Sequence, residues 1–232
     1  GYHPADADSL PAVDFSYLAR LDEPLPPLRI GFSANLGGLK VQSDVAREVE
    51  AAARVFMELG HDVVEWAEPF PALGLWWSRI GRHQALASSW DVLMGRRTEI
   101  SEGYLNGLDA ALATSPTDFG EFARLRAQLN NLLWQTFERY DLLLMPTMPL
   151  EAFAAEGPIP ANIEGDPFEF IGFTAPFNFS GHPAATVRAG FTDSGLPVGL
   201  QIVGQRHRED LVLQASYAFE QARPWNNHWP DL

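Results

Sequence analysis

The chain has 232 residues, 46% of them hydrophobic, so it can bury a sizeable core and sits near the upper end of what one domain holds. A formal charge of −14 opposes binding to nucleic-acid phosphates or anionic lipid, since both require clustered cations, and the absence of cysteine excludes disulfides, thiolate zinc sites and a cysteine nucleophile. No apolar run approaches the roughly 18 residues of a membrane span, which leaves the cytoplasm as the default location.

In chain order, the sequence opens on Gly1 rather than Met and shows neither the basic nor the apolar part of a secretion signal, so removal of upstream residues is expected. Residues 1–27, rich in Asp, Pro and Ala, read as an extended lead-in segment, and the fold signal begins at 28. Residues 28–32 alternate as a short strand. Ser43 or Asp44 then caps an amphipathic helix carrying Val45, Val49, Ala52, Ala53 and Phe56, Gly60 ends it, and 61–65 form a second strand of a parallel βαβ unit. Residues 73–112 are helical but interrupted by five glycines, which predicts short helices around turns. From Thr117 a long helix runs through Phe122, Leu125, Leu129, Leu132, Leu133 and Phe137 into an apolar strand at 141–145. A loop at 152–167, strands at 184–189 and 198–203 and a closing helix at 210–222 complete the reading.

Three ordered stretches carry a resemblance. Residues 140–149 read YDLLLMPTMP, residues 173–187 read FTAPFNFSGHPAATV and residues 195–204 read GLPVGLQIVG. They resemble the strand-and-turn YDxLLxPTxP, the stretch FTxPFNxxGxPAxxV and the signature GLPVGLQxVG of the amidase signature family, and the resemblance extends over nearly the whole chain. It implies an α/β fold, an α/β/α layering around a mixed central sheet, of which residues 28–232 are similar to the C-terminal half. It also implies a serine hydrolase that cleaves carboxylic amides through an acyl-enzyme, without metal or cofactor, and a small-molecule amide as substrate.

The glycines and prolines of these stretches have structural explanations, since proline fixes φ at strand entries and glycine permits turns and close backbone approach. Asn178 either bonds a loop backbone or faces substrate. Phe168, Phe170, Phe173, Phe177 and Phe179, with Trp76, Trp77 and Trp134, either pack a core or line an apolar pocket. The substrate-binding candidates are Phe173, Thr174, Phe177, Asn178 and Trp77. In the glutamine-hydrolysing subunits of tRNA-dependent amidotransferases an acidic residue stands two positions before the family threonine. Here Ile171 and Gly172 precede Phe173-Thr174, which argues against a small polar amide.

The family's nucleophilic serine, second serine and lysine base have no counterpart in this stretch of sequence. The only adjacent serines, Ser88-Ser89, lack flanking glycines, and Lys40, the only lysine, lies in a loop ahead of the first long helix. The six histidines form no H-x-x-x-H pair, and no G-x-S-x-G elbow, Walker A loop or G-x-G-x-x-G occurs. The expectation is therefore a chain without catalytic residues of its own, partnered by the N-terminal half of an amidase or by a second copy of itself. The alternative is a split or truncated amidase-like module that only folds, binds ligand or self-associates.

Overall fold

In the computed structural model all residues are described except 8, 72, 156, 158–168 and 226–232, with backbone alone at 74, 75, 77–79, 81, 82, 84, 85, 87, 88 and 169. The framework is a five-stranded sheet in the order β2-β1-β3-β5-β4, built from β1 (Arg29–Phe32), β2 (Asp62–Glu65), β3 (Leu142–Pro146), β4 (Ala184–Phe191) and β5 (Pro197–Gly204). β1 runs parallel to both β2 and β3, whereas β5 lies antiparallel to β3 and to β4, so the sheet is mixed.

The period-2 pleat assigns the strand residues to two cores. Ile30, Leu142, Leu144, Leu200 and Ile202 face one layer, made by α2 (Ser43–Glu58) and α7 (Glu209–Ala222). There Phe56 and Phe219 stack with centroids 5.6 Å apart. Leu143, Met145 and Val203 face the other layer, where α5 (Pro116–Phe137) supplies Phe122, Leu129, Leu133 and Phe137, a spacing that puts all four on one helix face. Each such fully buried side chain contributes roughly 1.5–3 kcal/mol over its exposed state. Gly31 is required on this second face, because a Cβ there would stand 2.8 Å from Leu143 Cδ2.

Helix ends follow local chemistry. α2 closes in a Schellman arrangement: Gly60 at φ +93° lets His61 N–H donate to Phe56 O and Gly60 N–H to Met57 O, each at 3.0 Å. α5 opens with Ser115 and Asp118 in a reciprocal capping box and Pro116 as its first residue, one residue earlier than the expected Thr117. The expected cap on α2 is not formed by either candidate. Gln42 holds the cap position, Ser43 is already helical, and the Asp44 carboxylate is drawn away to accept Asp193 N–H at 2.9 Å.

One further expectation is corrected in part. α3 (Gly74–Gly95) consists of two helical stretches meeting at a kink at Ser89, where φ is −138° and ψ 22°, so the break falls at a serine rather than at a glycine, and Gly103 and Gly107 fall inside α4 (Glu102–Leu112). α3 and α4 bury Leu86, Leu108 and Ala111 together, enough contact to outweigh about 1 kcal/mol per interior glycine. The passage before β4 contains a six-residue helix, α6 (Ala175–Ser180). Within the lead-in, one helical turn, α1 (Tyr17–Arg20), is tied to α7 by Arg20 Nη1–Asp210 Oδ2 at 2.9 Å and by Gln214 Nε2 donating to Arg20 O at 2.7 Å. The expected 152–167 loop lies largely outside the described residues.

Candidate functional site

The elements converge around β4. β3 ends at Pro146, and Thr147 N–H donates to Gly199 O at 2.9 Å, carrying the ladder one residue further. The Thr147 and Thr186 hydroxyls then meet at 3.2 Å across Gly199, where a Cβ would stand 2.8 Å from Thr147 Oγ1 and 2.9 Å from Thr186 Cγ2. Glycine is thus needed there for close approach rather than for an unusual φ. Beside this junction opens an apolar hollow of about 500 Å³ lined by Val45, Met148, Leu150, Phe153 and Val198, with Thr147, Thr186, Glu151 and Arg188 as its polar groups.

A second hollow, about 520 Å³, lies at the other end of β4 and is lined by Phe177, Asn178, His182, Ala184, Ala185, Glu209 and Leu213. His182 stacks on Phe137 with centroids 5.2 Å apart and shares a 2.9 Å hydrogen bond through Nδ1 with Ser180 Oγ. Burial, and after it the positive charge of Arg206, push His182 down to about 4, so the ring is neutral at pH 7. Arg206 is itself fixed, donating from Nε to Ser180 O at 2.7 Å and from Nη2 to Asn130 Oδ1 at 2.9 Å.

The sequence-predicted residues divide between core and hollow. Phe173 and Phe177 are buried in the second core, the latter edge-on to Phe70 at 5.7 Å. Thr174 is half-buried and its hydroxyl donates to Ile171 O at 3.3 Å. Asn178 is exposed at the second hollow, with Nδ2 donating to Thr174 O at 3.0 Å, and the helix it sits on ends at Gly181 with φ +70°. Trp77 lies on α3 and its side chain is outside the described atoms. The wider aromatic set separates too: Phe179 and Trp76 both contact Phe122, Phe170 meets Phe153, and Trp134 is 59% exposed. Phe168 lies outside the described residues.

Sequence reasoning missed Gln201, which is 3% exposed and donates from Nε2 to Phe173 O at 2.8 Å, fastening the segment before α6 to β5. It also missed His182 and Arg188, whose only signals are a lone histidine before Pro183 and a lone arginine in an apolar strand. Ser88 and Ser89 lie in α3, and Lys40 is exposed between β1 and α2. Among the described residues no group of three or more His, Asp or Glu is placed to hold a metal ion, and no helix is long and apolar enough to cross a membrane.

The model of the Amidase family matches residues 1–213. The chain belongs to the amidase family. It is 32% identical over 238 residues to an acylamidase of Rhodococcus erythropolis, with 97% of this chain and 49% of the relative covered. It is 31% identical over 263 residues to a glutamyl-tRNA(Gln) amidotransferase subunit of Thermosynechococcus vestitus, covering 100% of this chain and 53% of that one. Among solved structures, a bacterial aryl acylamidase of the amidase signature enzymes superposes with a TM-score of 0.87 at 32% identity, over 98% of this chain and 50% of the other. A 6-aminohexanoate cyclic dimer hydrolase does so with a TM-score of 0.77 at 25% identity, over 100% and 52%. The chain therefore spans about half the length of the amidases it matches, and the mixed sheet with helices on both faces is the amidase signature fold over that span.

Proposed function

We propose that this chain is the C-terminal half of an amidase that cleaves a carboxylic amide C–N bond through a serine acyl-enzyme, the nucleophile and base lying in sequence outside these 232 residues. The observation that carries the reading is the likeness to the aryl acylamidase along the whole chain, at half of that enzyme's length. No glycine-flanked serine pair occurs here, and the only lysine sits exposed in the loop before α2, so the chain has no activated nucleophile and no oxyanion-binding loop of its own. Its part is to hold the sheet and to wall the substrate cleft. In this reading Asn178 faces ligand, Thr174 ties the start of α6 to Ile171, and Phe173 and Phe177 stiffen that wall from behind. Trp77 is proposed on sequence alone. An apolar acyl or amine group suits the hollow lined by Met148, Leu150 and Phe153.

The test is hydrolysis of aryl amides and p-nitrophenyl esters, with a serine-directed covalent probe as second readout. The chain from 1 to 232 is expected to give no turnover above buffer and no labelled serine, and the polypeptide continued upstream of Gly1 to give both. Stoichiometric labelling of a serine within 1–232, with turnover, would sink the proposal.

A further inference from the structure

β4 is small or apolar over most of its length, and Arg188 is its one charged residue. Across the ladder Arg188 stands opposite Gly199, which has no side chain to meet it. Two rings fix the guanidinium instead, the Phe191 centroid at 4.5 Å and that of Trp225 at 5.9 Å. Its Nε is buried without a hydrogen-bond partner among the described residues. Burial first and the positive charge of Arg223 second push the group below its usual range, and no carboxylate among the described residues offsets them. Arginine stays charged at neutral pH all the same, so β4 carries a desolvated cation with an N–H to give.

Arg188 lines the hollow of about 500 Å³ whose wall is apolar at Met148, Leu150, Phe153 and Val198. The other charge there, Glu151, is already engaged: its carboxylate accepts from Ser194 Oγ and is held below the usual range by the Ser194 hydroxyl first and the Thr192 hydroxyl second. A cavity of this size, apolar over most of its wall and cationic at one point, is complementary to an apolar chain that ends in an anion. A carboxylate suits that point best, because it takes guanidinium N–H groups in a planar pair and supplies the acceptor that Nε lacks. An aspartate or glutamate of a packed neighbour would satisfy Arg188 from a short stem and leave Met148, Leu150 and Phe153 unfilled, whereas a ligand with its own apolar chain covers both.

We infer that Arg188 is a specificity-determining residue and that the substrate is an amide whose apolar part ends in a carboxylate, the chain lying against Met148, Leu150 and Phe153 and the carboxylate accepting from the Arg188 guanidinium. The inference rests on the proposed half-enzyme reading, which makes this hollow part of the substrate cleft. It narrows the apolar group that the hollow suits to one with an anionic end.

Matched pairs of amides test it on the polypeptide continued upstream of Gly1. The mono-p-nitroanilides of adipic and suberic acids are compared with the p-nitroanilides of hexanoic and octanoic acids, which have the same acyl lengths and no charge, and p-(hexanoylamino)benzoate with its uncharged p-methyl analogue. In at least one pair the carboxylate member is expected to be hydrolysed with kcat/KM about thirtyfold above its neutral partner. In Arg188→Gln that ratio is expected to fall to about one, and in Arg188→Lys to stay between the two, since lysine keeps the charge without the fork. A ratio taken within one variant does not depend on how much of the sample is folded. Equal turnover within every pair, or a preference that survives Arg188→Gln, overturns the inference, while the turnover itself upholds the half-enzyme reading. Calorimetry of phenylbutyrate against phenylbutyramide separates the two readings where no amide is hydrolysed: binding of the acid alone, lost in Arg188→Gln, upholds the Arg188 site and sinks the half-enzyme reading. Neither binding nor turnover removes both, and turnover without binding of the acid, as when a carboxylate of the protein already occupies Arg188, overturns the inference.

Discussion

Replacing Gln201 tests whether one buried amide holds the segment before α6 in place. Its Nε2 donates at 2.8 Å to the carbonyl of Phe173, a residue with no exposed surface, so removing the donor strands an acceptor that water cannot reach. Leaving such a group unsatisfied costs about 1–3 kcal/mol, while two methyl groups in place of the amide bring back about 1 kcal/mol of apolar burial, so Gln201→Leu is expected to lose about 1–2 kcal/mol. Gln201→Ala adds a void and is expected to lose about 1–2 kcal/mol more. Gln201→Glu is the sharpest variant, because the ionised carboxylate cannot donate to the carbonyl whereas the protonated acid can. The folded state then raises the pKa of that glutamate, so the protonated form contributes stability that is complete below about pH 4, the unfolded value, and is lost as pH rises through the folded one. Urea unfolding of the four proteins between pH 4 and 8 measures all of this, with unchanged m-values as the sign that only stability moved. Wild-type stability in Gln201→Leu, or a pH-independent deficit in Gln201→Glu, would show that the Phe173 carbonyl does not depend on this bond.

Two further outcomes are expected. His182 is held to about 4 by burial first and Arg206 second, so the unfolded chain takes up its proton at higher pH than the folded one. The stability it contributes is present above about pH 6.5 and is lost as pH falls toward the folded value, by about 1–2 kcal/mol once solvent screening of a partly exposed ring is allowed for. Urea titrations of wild type and His182→Gln between pH 4 and 7 should differ in slope, and parallel curves would refute the assignment. Ser115→Ala opens the capping box of α5 and is expected to lower stability by about 1 kcal/mol, checked by thermal unfolding, with Ser115→Thr, which keeps the hydroxyl that bonds Asp118, retaining most of it.

What the residues revealed in advance was whatever is decided locally. The βαβ unit was legible because Val45, Val49, Ala52, Ala53 and Phe56 repeat at helical spacing between two short apolar runs and Gly60 stops the helix, and all of this depends on neighbours in sequence. The apolar run of β3 was legible for the same reason. Asp44 failed as a predicted cap because its carboxylate answers to Asp193, 149 residues away. Gln201 was invisible because nothing in an apolar strand says that an amide will meet a carbonyl 28 residues upstream. α6 is too short for periodicity to show, and the glycines of α3 drew the expected breaks away from Ser89, where the helix kinks.

The residues that identify the family in this chain build its frame. Residues 140–149 are β3 and the turn that delivers Thr147, residues 195–204 are β5 with the glycine that admits Thr147 and the glutamine that holds Phe173, and residues 173–187 are α6 and the first half of β4. Each has a packing or hydrogen-bonding reason that lies within the frame itself. The side chains that the frame leaves in contact with open space around β4 are Met148, Leu150 and Phe153 at one hollow and Asn178, Ala184 and Leu213 at the other. Under the proposed half-enzyme reading, substrate choice falls to such side chains and not to the motifs, which is why the frame motifs announce the family here without announcing a substrate.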